Sequence, residues 1–238
     1  MGTGSLVSVD SSTSDRLARA GFAVSFSNDM RAWKQALVAD NRFVSPHFDP
    51  DYSTPKGAVW IRISDQLTGK LAACLAYRIY PAADYLAMVE DGSIYVDDPD
   101  EWGFRPHRHG MGHIDLSGRV MSRGGLHSFM TGQALSFWIC GIALEVALQE
   151  RVDVAAGITL PGPHVPLSWY GYQHSAHTSV HEWPNFPNQP HSIEIVWSHA
   201  PEIRQELEQR NKLLREMPDA DLKTIAKEYE RRTGLRRT

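Results

Sequence analysis

The sequence predicts a mixed-sheet α/β domain, and three features carry that prediction. The apolar runs AVWIRI and LAACLAYRIY flank SDQLTGK, whose Asp and Gly suit the turn of an antiparallel hairpin. HIDLSGRVMS, a long uncharged stretch and VDVAAGITL then follow as strand, helix and strand within 48 residues, the pattern of a right-handed βαβ crossover. A last apolar run, SIEIVW, closes the sheet.

The chain of 238 residues is long enough for one large core, and 42% hydrophobic with 22% charged residues is an ordinary globular composition. A net charge of −4 gives no basic excess to attract nucleic acid. Cys74 and Cys140 sit in apolar runs, as buried thiols of a reducing compartment do, so a cytoplasmic location is expected. The segment MGTGSLVSVDSSTSD lacks the basic start and apolar core of a signal peptide, and Leu6 breaks the myristoylation pattern. Residues 1–19 are therefore expected as an extended or disordered lead-in.

Along the chain, SNDMRAWKQALVADN has a polar start and apolar residues at helical spacing, which predicts a helix near 28–40. After the hairpin, PAADYLAMVEDGSIYVDDPDEWGFRP is acidic and rich in Pro and aromatics, so it is expected as irregular chain with a short helix at its start. A strand over 112–121 leads into the uncharged stretch from Gly124 to Leu144, expected as a helix reaching about Glu150. Ser128, Thr131, Gly132, Gln133 and Ser136 dilute that stretch, which favours a covered core helix over a membrane span. The Pro-, His- and aromatic-rich segment after VDVAAGITL is expected as ordered loop with one short helix and an extended piece. From Pro201, Ile203, Leu207 and Leu214 recur at helical spacing, Pro218 breaks the run, and Asp219 or Asp221 can cap a second helix carrying Leu222, Ile225 and Tyr229. Mixed charges there suggest solvated helical faces.

In the predicted strand 112–121, His113, Asp115, Ser117 and Arg119 alternate with Ile114, Leu116, Gly118 and Val120. Four polar groups on one face of a βαβ strand cost desolvation unless they look into a wet cleft; a solvated edge face is the alternative, and the helix that follows favours the cleft. Gly124 and Gly125 allow close approach of a ligand to the main chain, and a helix start beyond them would offer amides to a diphosphate.

This arrangement resembles the GNAT superfamily of acyl-CoA-dependent N-acyltransferases over residues 20–200, with 201–238 as a C-terminal helical extension. The resemblance implies a mostly antiparallel central sheet with helices on both faces. In that family the central strand splays from its neighbour, its main chain pairs with the pantetheine arm, and the turn after it holds the pyrophosphate. Carried across, cofactor contacts fall to Val120, Met121, Arg123, Gly124, Gly125, Leu126, His127 and Ser128. The implied cosubstrate is acetyl-CoA or another acyl-CoA, with no metal. The implied acceptor is the amine of a small molecule or peptide, with no nucleic acid or membrane partner, and a homodimer is compatible. The runner-up is a GNAT-like ligand- or partner-binding protein without turnover.

The chain departs from the family at two motifs. The usual turn reads Arg or Gln, two residues, Gly, one residue, then Gly or Ala. Setting its first glycine on Gly124 places Met121 and Leu126 at the outer positions, and setting it on Gly125 places Ser122 and His127 there. The family's Tyr, three residues, Gly, Phe or Tyr ends on Gly171-Tyr172, but Leu167 occupies the tyrosine position, which leaves Tyr170 or Tyr172 as substitute acid or as aromatic packing.

Removing a proton from the attacking amine calls for a base. Asp115 and His113 are the candidates on the polar strand face, Asp115 preferred, with Ser117 and Arg119 orienting substrate. His107, His109 and His113 form a metal alternative, but their spacing fits no zinc motif. His174, His177, His181 and His191, among Trp169, Trp183 and Phe186, suit a pocket for an aromatic or amphipathic substrate, of which Trp169 and His174 are the named contacts. No GxSxG, P-loop lysine motif or GxGxxG is present.

Overall fold

The computed structural model describes residues 12–54, 56–101, 110–159, 167–179 and 192–233. Its seven-stranded sheet has the order β1–β2–β3–β4–β5–β7–β6. The strands are β1 (Phe22–Ser27), β2 (Ala58–Asp65), β3 (Leu71–Asp84), β4 (Ser117–Ser128), β5 (Val154–Thr159), β6 (His174–Ser179) and β7 (Ser192–His199). Among the described strands only β4 and β5 run parallel, and every other neighbouring pair is antiparallel. The mixed, mostly antiparallel sheet expected from the sequence is the one that forms.

Helices cover both faces, and side-chain alternation decides which face each one buries. Ile61, Ile63, Ala73, Leu75, Tyr77, Met121 and Ala155 pack against α1 (Ser12–Arg19), α4 (Leu135–Gln149), α6 (Ala200–Glu216) and α7 (Leu222–Thr233). The alternate positions Trp60, Cys74 and Ala76 meet α2 (Met30–Ala39) and Phe48. Val120, Val154 and Ala156 meet α3 (Tyr85–Asp91) on that same face. The α2 helix starts where the Asp29 carboxylate accepts from the Ala32 amide at 2.9 Å, and Met30, Trp33 and Leu37 form its buried stripe. In the hairpin turn, Asp65 accepts from the Thr68 amide and hydroxyl.

The α4 helix is apolar nearly all round because β2, β3 and β4 cover one side while α1, α6 and the short α5 (Leu167–Tyr170) cover the rest. No described helix is long and apolar enough to cross a membrane.

Several expectations need correction. Residues 12–19 form α1 rather than a disordered lead-in, with Thr13, Arg16 and Leu17 buried; residues 1–11 lie outside the described residues. Arg16 donates to the carbonyls of Met217 and Pro218, tying α1 to the α6–α7 link. The sequence reading had no strand at Phe22–Ser27, and Pro81–Asp84, expected as irregular, continue β3. The C-terminal helices belong to the main core, and within α6 the mixed charges include a buried pair, Glu206 and Arg210, with Arg210 Nε to Glu206 Oε1 at 2.6 Å.

The largest difference concerns β4. It begins at Ser117 rather than residue 112 and runs straight through Gly124-Gly125 to Ser128, while the helix starts only at Leu135. Packing explains why glycines stand inside a strand. A Cβ on Gly124 would lie 2.9 Å from the Phe48 ring, and one on Gly125, whose φ is +56°, would lie 2.4 Å from Trp33. Substitution at Gly125 would therefore test the fold rather than ligand binding.

Candidate functional site

The central feature is a parting of strands. β4 pairs with β5 only from Val120↔Val154 to Arg123↔Gly157. Beyond that point β4 continues along β3 as far as Ser128↔Ala73, and β5 continues along β7 as far as Thr159↔Glu194. The β5-facing edge of Gly124–Ser128 thus has no strand partner among the described residues, leaving backbone donors and acceptors for another extended chain.

The parted strand leads directly to a helix start. After Ser128, the loop Phe129–Ala134 includes Gly132 at φ +84° and Ala134 at φ +55°. Ala134 is the N-cap of α4 and makes no side-chain cap hydrogen bond. A non-glycine residue in the left-handed region costs about 1–2 kcal/mol, and an apolar cap leaves the first amides of a 15-residue helix unsatisfied. Both features suit an anion-binding turn. Gly132-Gln133-Ala134 also matches the second half of the family's turn, with Phe129 in the Arg or Gln position. The sequence reading missed this register because Gly124-Gly125 looked like the turn. The signal that could have found it was a Gly-x-Ala immediately before the uninterrupted apolar run.

The proposed cofactor residues separate accordingly. Val120 and Met121 precede the parting, with strands on both sides and buried side chains, so their main chain is already used. Gly124, Gly125, Leu126, His127 and Ser128 lie along the open edge. Within it His127 Nε2 meets the Phe43 carbonyl at 3.1 Å and Ser128 Oγ donates to Met130 O at 2.9 Å, so those two side chains hold loops rather than a phosphate.

Arg123 occupies the vertex. Its guanidinium lies on the α4 side of the sheet, 4.2 Å from the Tyr172 ring centre, and the residue is 4% exposed. None of its three side-chain nitrogens has a hydrogen-bond partner among the described residues. Stacking on an aromatic face contributes about 2 kcal/mol when desolvated, less than the roughly 3–5 kcal/mol associated with an unpaired buried charge. Tyr172 reaches the same point: its hydroxyl lies 2.4 Å from where a Cβ on Gly157 would stand, so only glycine admits it. Burial raises the Tyr172 phenol above its ordinary value, with Arg123 opposing, and the hydroxyl stays protonated at neutral pH. Tyr170 stacks near it, ring centres 6.2 Å apart.

On the other face, Ser122 lies one residue before the vertex, and its hydroxyl joins a buried chain that the sequence reading missed. Ser122 Oγ is 3.2 Å from His47 Nδ1 and 3.4 Å from the Tyr85 hydroxyl, and His47 Nε2 is 3.1 Å from the Tyr80 hydroxyl. Burial, with Arg78 adding to it, holds His47 well below its ordinary 6.5, so the imidazole is neutral. Below pH 6.5 the unfolded chain binds a proton here that the folded chain does not. This contribution is fully present above that pH and is lost as pH falls, at about 1.4 kcal/mol per unit. His47→Gln should accordingly flatten the acid limb of urea-midpoint stability between pH 6.5 and the folded value; an unchanged slope would show that His47 is not a buried neutral group.

The remaining candidates stand elsewhere. His113 and Asp115 precede β4 and are exposed, so the alternation that grouped them with Ser117 and Arg119 does not exist. Asp115 accepts from the Ser117 hydroxyl at 2.5 Å and amide at 3.0 Å, and these bonds hold its carboxyl below the ordinary range. Ser117 itself is about 20 Å along the strand from Arg123. Arg119 binds the Glu150 carbonyl at 2.6 Å and carboxylate at 2.8 Å, anchoring the end of α4. Trp169 packs edge-on to Phe137, and His174 pairs with Glu202 at 2.6 Å while stacking on Trp197. His107, His109, His181, His191, Trp183 and Phe186 lie outside the described residues, among which no cluster suited to a metal occurs. A cleft of about 450 Å³ between α6 and α7, floored by Glu206 and Tyr229, is built from elements that do not form the parting.

Strand order, the one parallel pair among the described strands and the divergence at Arg123 match the sheet arrangement that the resemblance to the GNAT superfamily implies. No protein-family model and no curated protein matches the sequence. Among solved structures, the chain is similar to FeeM, an N-acyl amino acid synthase from uncultured soil microbes, at 13% identity and TM-score 0.47, over 78% of this chain and 94% of that one. It is also similar to Arabidopsis thaliana NAA60 in complex with acetyl-CoA, at 11% identity and TM-score 0.44, over 75% and 99%. The ribosomal-protein-S5-alanine acetyltransferase from Vibrio fischeri gives 8% identity and TM-score 0.42, over 75% and 93%. Likeness at this level concerns chain path, and chemistry must come from this chain's own residues.

Proposed function

We propose that the protein is an N-acyltransferase that moves an acyl group from acyl-CoA, with acetyl-CoA as the first candidate donor, to an amine. The observation that carries this reading is the open edge of Gly124–Ser128 running into the uncapped start of α4. An amide-containing pantetheine arm fits such an edge, and the diphosphate fits the amides at Leu135 and Ser136 with the loop at Gly132. The cosubstrate would supply the activated thioester.

In this reading the protein's residues position the reactants and handle protons. The amine nitrogen attacks the thioester carbonyl carbon, the C–S bond breaks, and the products are an amide and a free thiol. Tyr172, protonated and at the vertex, supplies a proton to the departing sulfur. His47, neutral and joined to Ser122 Oγ, replaces Asp115 as the group proposed to receive the amine proton, through that hydroxyl. The test is thiol release from acetyl-CoA by the purified full chain with a panel of amines. Amine-dependent release with formation of the amide supports transfer. A rise in melting temperature with acetyl-CoA but no amide from any amine would favour a binding protein of the same fold.

A further inference from the structure

We infer that Arg123 is the receptor for a carboxylate on one of the two substrates, which makes it the residue that sets substrate class; this rests on the acyl-transfer reading above. The guanidinium is buried, all three of its nitrogens lack a hydrogen-bond partner among the described residues, and it stands at the last paired position before β4 and β5 part. The Tyr172 ring covers one of its faces and leaves the in-plane donors free. Those donors form a planar fork that matches the two oxygens of a carboxylate. The donor's diphosphate is assigned above to the amides of Leu135 and Ser136, and the thioester and the neutral amine bring no counter-charge to the vertex, so the anion that fits this fork is a further carboxylate on a reactant. It can enter on an acyl donor that carries a second carboxyl, or on an acceptor whose amine neighbours a carboxylate, as in a free amino acid.

The experiment compares succinyl-CoA with acetyl-CoA as donor, and phenylalanine with phenylalanine methyl ester as acceptor, in the wild-type chain and in Arg123→Gln. Wild type is expected to prefer the carboxylate-bearing member of one pair by ~10²-fold in kcat/KM, the size of a charged hydrogen-bonding contact. The pair showing the preference identifies the source. Arg123→Gln should reduce that ratio to within about threefold. Because the guanidinium has no hydrogen-bond partner among the described residues, Arg123→Gln should also unfold at a urea midpoint equal to or above that of wild type. Retained preference in the variant, no preference in wild type, or a large fall in midpoint would each overturn the inference. Absence of both an acetyl-CoA melting shift and thiol release would instead remove the acyl-transfer reading and the inference with it.

Discussion

Tyr172→Phe is expected to lower acyl transfer by ~10²-fold or more, the usual size of a general-acid contribution, while acetyl-CoA affinity stays unchanged. The substitution removes one oxygen from a buried ring whose stacking against Arg123 is preserved. An effect confined to turnover therefore separates proton donation from packing. The defect should shrink for thioesters whose leaving thiol is more acidic, because a thiolate of low pKa needs less help in departing. Equal turnover of variant and wild type at neutral pH would leave Tyr172 as a packing residue.

Arg210→Met is expected to cost roughly 3–5 kcal/mol of stability, because it strands a buried carboxylate. Arg210 Nε donates to Glu206 at 2.6 Å, Nη1 to the Phe137 carbonyl at 2.8 Å and Nη2 to the Trp169 carbonyl at 3.0 Å. Its plane packs 4.1 Å from the Phe137 ring centre. One side chain thus joins the first turn of α4, the end of α5 and α6. The Tyr229 hydroxyl donates to the second Glu206 oxygen, which brings in α7. Converting Glu206 and Arg210 together to Met should recover part of the loss, since an apolar pair carries no desolvation penalty. Urea unfolding of the two variants measures both effects, and a single variant within about 1 kcal/mol of wild type would show that Glu206 finds water or another partner.

Features encoded locally were legible in the sequence. The hairpin β2–β3 follows from two apolar runs about an Asp–Gly turn, and α2, α6 and α7 follow from helical spacing. The crossover β4–α4–β5 was also readable, and it carries the only parallel pair among the described strands. What misled the reading was non-local. Gly124-Gly125 reads as a turn, yet these glycines are in a strand because Phe48 and Trp33, more than 70 residues upstream, occupy the space of their missing side chains. Once that turn was misplaced, the strand was drawn too early, and Asp115 took a place on a cleft it does not reach. His47 could not have been found from pattern alone, since it meets Ser122 across 75 residues from a single 3₁₀ turn at Pro46–Phe48. From the sequence, Arg123 enters only as one of the cofactor contacts that the family resemblance implies. Its significance comes from the lack of a hydrogen-bond partner among the described residues in three dimensions.

The central claim is that the parted edge of β4 and the start of α4 together hold the acyl donor, and amide hydrogen exchange with and without acetyl-CoA tests it residue by residue. Protection should appear among Gly124–Ser128 and at Leu135 and Ser136, on either side of the Gly132 loop. Protection confined to Gln173 and the α6–α7 cleft, or no change at Gly124–Ser128 under saturating acetyl-CoA, would contradict the claim.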